Sequence, residues 1–483
     1  MTKRKGKALF VIHDNYQDDN EFPLGPGYLA AMLKGYGSEV SVFCMDVFHY
    51  SNEQLIVFLL DYEFDLIGLG FMAPRFKRGV EELCKVINTH KKNAWFVIGG
   101  HGPTPIPEYA IKATDADVAI IGEGEETIVE LLQCKLSDPG RISTVKGIAY
   151  RNGDQIIENQ RRKPIMKLDT IPFPAWELFP MDRYTDSVKL AGMKDEDKSL
   201  AMITTRGCVS KCSFCHRMEV GIRVRTVENI IEEIKTLHNI YGVNYFFFAD
   251  ELSIVSKKQV LEFTKTIKDN ELNIMYRMDC RVDLFDEDVA KALKDSGCVF
   301  LNIGFESTDQ AVLDLLDKRV TVEQNIKAAE IAKRHGIGLG LNFIWGLPGD
   351  SEKSLRDNAG FIKKYNQYDY IRTIRPVTPF PGSPLYYEAV RRGFLKGPDD
   401  FFKRFKNTDL YMVNFMDIPE NEIYQMLFEV NKDLILDHYR NTNNDMKAAN
   451  CLIDQFYNLY FNDDYAFKGA RHYDSNVGMR RDV

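Results

Sequence analysis

The chain has 483 residues, enough for two or three domains with separate cores. Hydrophobic residues make up 45% and charged residues 27%, an ordinary balance for a folded protein that argues against a disordered or fibrous chain. Its 70 acidic and 62 basic residues leave a net charge of −8, which argues against broad binding to nucleic-acid phosphates. After the first basic residues the apolar run spans only Ala8 to Ile12. A secretory h-region needs about 7–15 apolar residues, and no stretch approaches the roughly 20 that cross a bilayer. A cytoplasmic protein without a membrane span is therefore expected. Nine unevenly spaced cysteines suit a reducing compartment better than a disulfide framework.

From residue 7 to 133, short apolar runs alternate with amphipathic segments. KALFVIH, EVSVFC, FDLIGLGF, AWFVIGG and DVAIIG read as strands, and LAAMLKGYG, NEQLIVFLLD, FKRGVEELCKVINTH and PEYAIKAT as helices or helical turns. Apolar strands each followed by a helix predict an α/β, doubly wound parallel sheet over residues 1–140. Its ligands would lie beyond the carboxyl ends of the strands. Residues 141–190 break the rhythm. VKGIAYRNGDQIIENQ predicts a hairpin at Asn152-Gly153, and the prolines of IPFPAWELFP continue neither helix nor central strand. This stretch reads as a linker.

Strand–helix alternation resumes over 191–395. Strands are predicted at LAMITT, NYFFFAD, NIMYRMD, VFLNIGF, GLGLNFIWG and YIRTIRP, with helices such as VENIIEEIKTLHNI and EQNIKAAEIAKRHG between them. This predicts a partial (β/α)6 barrel of TIM type. Residues 396–483 read as mainly helical and aromatic-rich, ending in a polar tail.

The central signal is TTRGCVSKCSFCHR, in which Cys208, Cys212 and Cys215 follow a predicted strand. Three thiolates on one short loop can hold three irons of a 4Fe–4S cluster and leave the fourth open to a small ligand. Arg206, Lys211 and Arg217 are expected to offset the thiolate charge. Residue chemistry alone leaves open a zinc site with His216 or a distant cysteine as fourth ligand, or three core cysteines without metal.

This loop resembles the signature of the radical S-adenosylmethionine (SAM) superfamily, in which an aromatic residue precedes the last cysteine, as Phe214 does here. FADE, DCRVD, GFES and IWGLPGDSEKS follow in the family's order. The resemblance implies a cluster on Cys208, Cys212 and Cys215, and SAM contacts from Phe214, Asp250, Glu251, Arg281, Glu306, Ser307 and Gly346. TPFPGSPLY, residues 378 to 386, resembles a segment of the cobalamin-linked branch.

Three glycine-containing segments, PLGPGYLAA, GGHGPTPIPE and GEGEET, lie near predicted strand ends, where a missing Cβ lets the backbone approach a large ligand. Together they resemble the cobalamin-binding domain that precedes many radical SAM barrels, as in the class B methyltransferases. The resemblance implies a corrin site lined by Leu24, Gly25, Gly99, Gly100, His101, Pro103, Thr104, Gly122, Glu123 and Glu125. The D-x-H-x-x-G motif that ligates cobalt from below is absent, since Asp46-Val47-Phe48-His49 has another spacing and no following glycine. His49 is expected to be a loop residue, His101 to organise backbone, and cobalt to carry no histidine.

The implied reaction uses an electron delivered by a donor such as flavodoxin or ferredoxin to cleave SAM. The resulting 5′-deoxyadenosyl radical would activate an unactivated carbon of a small-molecule substrate, or a phosphinate phosphorus, for methylation from methylcobalamin. Ring closure or rearrangement without methyl transfer stays open, as does a corrinoid carrier or sensor with an inactive barrel. A methylthiotransferase would need a second cysteine trio, but Cys84 and Cys134 lie on apolar helical faces. Arg391, Arg392, Lys396, Lys403, Arg404 and Lys406 are a substrate-anchoring cluster or a solvated helix face. Phe401, Phe402, Phe405, Tyr411 and Phe415 cap the barrel or pack in its core.

Overall fold

A computed structural model describes residues 5–15, 19–190 and 192–462, and the expected polar tail lies outside these residues. The chain divides into two compact units. The first takes residues 1–189, 198–207 and 216–243, the second residues 190–197, 208–215 and 244–483.

The first unit is built on β1 (Lys7–Ile12), β2 (Glu39–Cys44), β3 (Leu66–Gly70), β4 (Trp95–Gly99), β5 (Val118–Ile120), β6 (Ile148–Asn152) and β7 (Gln155–Glu158). The sheet order is β2-β1-β3-β4-β5-β6-β7, parallel from β2 through β5. Leu9, Phe96 and Ile98 have no exposed surface, as expected for strands covered on both faces. Gly68 makes room for this packing, because a Cβ there would lie 2.8 Å from the Phe10 ring. Ser51 and Gln54 form a reciprocal capping box ahead of Asn52–Asp61.

The hairpin is not a free connection. β6 pairs antiparallel with β5, and β7 with β6, so the predicted linker begins as two further strands of the first sheet. The physical reason is the buried face of Ile148, Ala149 and Tyr150, which needs an apolar partner. The first unit also contains β8 (Ser199–Met202) and a two-stranded ribbon of β9 (Thr205–Cys208) and β10 (Gly221–Val224). The last residue of β9, Cys208, passes into the second unit.

The second unit carries β11 (Tyr245–Phe248), β12 (Met275–Cys280), β13 (Cys298–Glu306), β14 (Gly338–Trp345) and β15 (Arg375–Pro376), in the order β15-β14-β13-β12-β11. The pairings are parallel, and helices Lys257–Asp269, Glu287–Asp295, Val322–His335 and Glu352–Tyr365 alternate with the strands. This is the strand–helix repeat of a partial barrel, followed by a helical C-terminal region. YIRTIRP yields only two strand residues. The Ile374 amide donates to Asn431 Oδ1 instead of a neighbouring strand, and Pro376 has no N–H.

Helices Glu420–Asn441 and Met446–Phe461 close the described chain. Phe401, Phe402, Phe405 and Phe415 are buried, and the Phe401 and Phe405 rings stack 5.5 Å apart, so these aromatics are packing core. Arg391 and Arg392 pair with Glu388, and Lys403 with Asp399, on exposed helix surface. Among the described residues no helix is long and apolar enough to cross a membrane.

Candidate functional site

The order β2-β1-β3-β4-β5 makes the carboxyl ends of β1 and β3 the topological switch point of the first sheet, where such folds bind ligands. Most of the predicted corrin residues lie on segments that leave neighbouring strands. Gly99 ends β4, and Gly100, His101, Pro103 and Thr104 follow it. Gly100 has φ +94°, and a Cβ there would lie 3.3 Å from the Phe71 carbonyl, so this loop folds tightly against the exit of β3. Thr104 Oγ1 accepts from the Gly122 amide at 3.2 Å, joining the loops after β4 and β5. Leu24 and Gly25 open the helix Leu24–Gly35, and a Cβ on Gly25 would meet nothing within 4 Å.

Two predicted corrin residues have other partners. Glu123 accepts from Arg206 at 2.9 Å, from Arg223 at 2.8 Å on both oxygens, and from the Ile165 amide at 2.7 Å. Glu125, the first residue of helix Glu125–Ser137, accepts from Arg206 at 2.6 Å. Burial works to raise the Glu123 carboxyl, but the bonds from Arg206, Ile165 and Arg223 outweigh it and hold the group below its ordinary value. Arg206 is therefore committed to carboxylates and is not simply a counter-charge for the thiols.

One residue at the switch point escapes a motif search. His13 follows β1, and its buried Nε2 has no partner. Burial, reinforced by Arg75, holds its pKa down to about 4, so the ring is neutral. His49 instead pairs with Asp14 at 2.9 Å, and the His101 ring lies 6.3 Å from that of His216.

The second unit holds the cysteine loop. The Ser213 amide donates to the Leu316 carbonyl at 3.0 Å, and the Leu385 amide to the Ser213 carbonyl at 2.8 Å. The loop, with Phe214 in its middle, is thus tied to TPFPGSPLY and to the segment after β13. Cys212 is buried, Cys208 half-buried and Cys215 exposed. Burial raises the Cys212 thiol, Lys318 and Arg281 oppose that effect, and Glu306 and Cys208 add to it. Desolvation of the sulfur pushes the Cys215 thiol up to about 12 although the residue reaches the surface, with Glu251 and the other two cysteines adding to the shift.

Glu251, Arg281 and Glu306 therefore lie within electrostatic reach of the cysteines. The nearby cations are Lys318 and Arg281, two residues that the charge pattern around the loop did not single out. Glu306 ends β13 at φ +64° and pairs with Lys318 at 2.8 Å, both side chains being 9% exposed. Gly304 is needed because a Cβ would collide with the Glu306 carboxylate. Arg281 donates to Ser210 within the cysteine loop and to the Lys318 carbonyl at 3.2 Å.

Asp250 is buried after β11; burial pushes the Asp279 carboxyl up to about 6 against the opposing bond from Asn302, and the Asp250 charge adds a smaller upward push. Ser307 is fully buried, and its hydroxyl accepts from the Asp309 amide. Gly346, at φ +94°, donates its amide to Asp350 at 3.0 Å.

Among the described residues no three His, Cys, Asp or Glu side chains are gathered closely enough to hold a metal ion. The donor chemistry nevertheless fits a cluster with one open iron: three thiols on one loop whose thiolate forms repel one another, with two cations beside Cys212. The orphaned His13 nitrogen and the glycine-bordered switch point fit a large polar ligand in the first unit.

A model of the radical SAM superfamily matches residues 202–362, and a model of the B12 binding domain matches residues 18–132. An uncharacterised methyltransferase from Pyrococcus horikoshii is 30% identical over 383 residues, covering 77% of this chain and 79% of its own. The anaerobic magnesium-protoporphyrin IX monomethyl ester cyclase of Rubrivivax gelatinosus is 27% identical over 401 residues, covering 79% and 70%. The solved radical S-adenosylmethionine methyltransferase TsrM from Kitasatospora setae shares the fold, with a TM-score of 0.69 over 88% of this chain and 89% of that one, at 15% identity.

Proposed function

The chain belongs to the radical SAM superfamily, in its cobalamin-binding branch, and from that premise we propose that it methylates an unactivated carbon, or a phosphinate phosphorus, of a small molecule. It is an enzyme, and its family's cofactors are a 4Fe–4S cluster, SAM and cobalamin. When bound, these groups supply reductive cleavage of SAM to a 5′-deoxyadenosyl radical and a methyl group for transfer.

The protein's part is to hold and orient. Cys208, Cys212 and Cys215 bind the cluster, and Lys318 and Arg281 moderate the charge beside Cys212. Phe214, Asp250, Glu251, Arg281, Glu306, Ser307 and Gly346 form the SAM side of the site. Leu24, Gly25, Gly122 and the 99–104 loop border the corrin, and no histidine ligates cobalt. The neutral His13 offers Nε2 as a hydrogen-bonding group at the switch point. Nitrogen splitting of the cob(II)alamin EPR spectrum that changes on 15N-histidine labelling would refute the histidine-free assignment. The electron comes from a donor such as flavodoxin or ferredoxin, and the setting is cytoplasmic.

The observation that carries the methylation reading is the 30% identity to a protein named as a methyltransferase, across most of both chains. The cyclase relative at 27% identity favours a second reading, ring closure with the same cofactors. The test is anaerobic reconstitution with iron, sulfide and cobalamin, followed by SAM, a strong reductant and candidate substrates, with Cys212→Ala as control. Methylation predicts both 5′-deoxyadenosine and S-adenosylhomocysteine, each lost in the control. Deoxyadenosine alone, with a cyclised product, would replace methylation by ring closure. Neither product from cluster-loaded protein would refute both readings.

A further inference from the structure

The cysteine loop leaves the first unit through β9 and returns towards β10, and these two strands form one ribbon. Each strand contributes an arginine, Arg206 from β9 and Arg223 from β10, and both reach the same carboxylate. Glu123 Oε1 accepts from Arg206 at 2.9 Å and from Arg223 at 2.8 Å. Glu123 Oε2 accepts from Arg223 at 2.8 Å and from the Ile165 amide at 2.7 Å. A carboxylate has about four acceptor sites, so this group has no remaining capacity for a corrin amide.

The charges are well enclosed, with side-chain exposures of 7% for Glu123, 16% for Arg206 and 6% for Arg223. Enclosed charge-assisted bonds of this kind fix geometry. The ribbon has little slack elsewhere, because Gly207 sits at φ +86° where an added Cβ would collide with the Gly221 carbonyl. Arg206 is two residues from Cys208.

We propose that Glu123 is a positioning residue for the cysteine loop, stapling the two strands that carry it, rather than a corrin contact. The inference rests on the reading that this chain loads both a cluster and cobalamin. A residue that orients metal ligands from behind changes metal retention about 10- to 100-fold when removed. Glu123→Gln keeps the shape and withdraws the charge from two arginines, and Arg223→Met removes the single nitrogen, Nη1, that bridges both oxygens.

The experiment loads wild type and both variants anaerobically with iron, sulfide and cobalamin. It follows iron release to a chelator by absorbance, titrates cobalamin by its visible spectrum, and records EPR of the reduced cluster with and without SAM. The expected result is iron release about tenfold faster in both variants, with an altered EPR spectrum and unchanged cobalamin affinity. General destabilisation would weaken cofactor retention in both places, so loss of cobalamin affinity alongside the cluster overturns the proposal. So does weakened cobalamin binding with wild-type iron release, which would make Glu123 a corrin contact, and so does no change in either. Should Glu123→Gln fail to fold, Arg223→Met decides by the same criteria. Wild-type protein that loads neither cofactor removes the underlying reading and the inference with it. Wild type that loads both beside variants that match it removes the inference alone.

Discussion

His438 gives the second unit a specific acid sensitivity. It lies on helix Glu420–Asn441, is 1% exposed, and has no hydrogen-bond partner for either ring nitrogen. The groups around it are Arg372, Asp437, and the rings of Tyr368 at 6.1 Å and Tyr439 at 5.6 Å. Burial first, and Arg372 second, bring its pKa from 6.5 down to about 4, with Asp437 opposing. The folded state therefore keeps His438 neutral while an unfolded chain would protonate it. Stability is complete above pH 6.5 and is lost as pH falls from 6.5 towards 4. Integrating proton uptake over those two values gives a loss of about 2 kcal/mol between pH 7.5 and 5, and about 3 kcal/mol by pH 4. His438→Leu, of similar volume and without polar nitrogens, should lack this component. Trp345 is fully buried in the second unit, so its fluorescence in a Trp95→Phe, Trp176→Phe background reports urea unfolding of that unit. The wild-type unfolding free energy should fall by about 2 kcal/mol more than that of the leucine variant between pH 7.5 and 5. Equal falls in the two proteins would refute the reasoning.

Removing Lys318 with Lys318→Met strands the Glu306 carboxylate and should destabilise the second unit by about 3–5 kcal/mol in the same urea assay. Adding Glu306→Gln should restore most of that loss, and a single variant as stable as wild type would contradict the pairing. Asp46 is buried and its carboxyl is pushed up to about 7, by burial against the opposing bond from Tyr184. The folded state holds a proton that the unfolded chain releases, so the first unit loses stability as pH rises from 3.8 to about 7. Asp46→Asn should flatten this dependence and give a Tm at pH 8 at or above wild type; a parallel pH profile would count against it. Gly207→Ala places a side chain at φ +86° against the Gly221 carbonyl, a strain of about 3 kcal/mol or more. Iron bound per chain after reconstitution should fall sharply, and wild-type loading would show that the ribbon tolerates the change.

The parts legible in the sequence are those set by local pattern. Runs such as Ala8 to Ile12 and Phe96 to Ile98 announce buried parallel strands, and the first five strands of the sheet follow them. The cysteine triplet is a spacing within one loop and is recognisable without a fold, whereas the preference for an iron–sulfur cluster over zinc comes from the family resemblance. The hairpin at Asn152-Gly153 is equally local. Its membership of the first sheet depends on Val118↔Tyr150 pairing, which no turn signal encodes. Glu123 is further from reach, since its arginines are 83 and 100 residues away in the chain. A glutamate in a glycine-rich loop reads as facing a ligand until the strands that satisfy it are known.

His13 shows the same limit from the other side. In the sequence it ends the apolar run KALFVIH and carries no motif, while His49 draws notice through its distance from Asp46. The fold reverses their importance. Because β2 and β3 flank β1, the carboxyl end of β1 borders the switch point, and the residue that follows it lies where such folds bind ligands. His13 arrives there with one nitrogen buried and unpartnered, which costs stability without a ligand to meet it, whereas His49 is exposed and paired with Asp14. Strand order, which is a long-range property, is what places an end-of-strand histidine at the switch point.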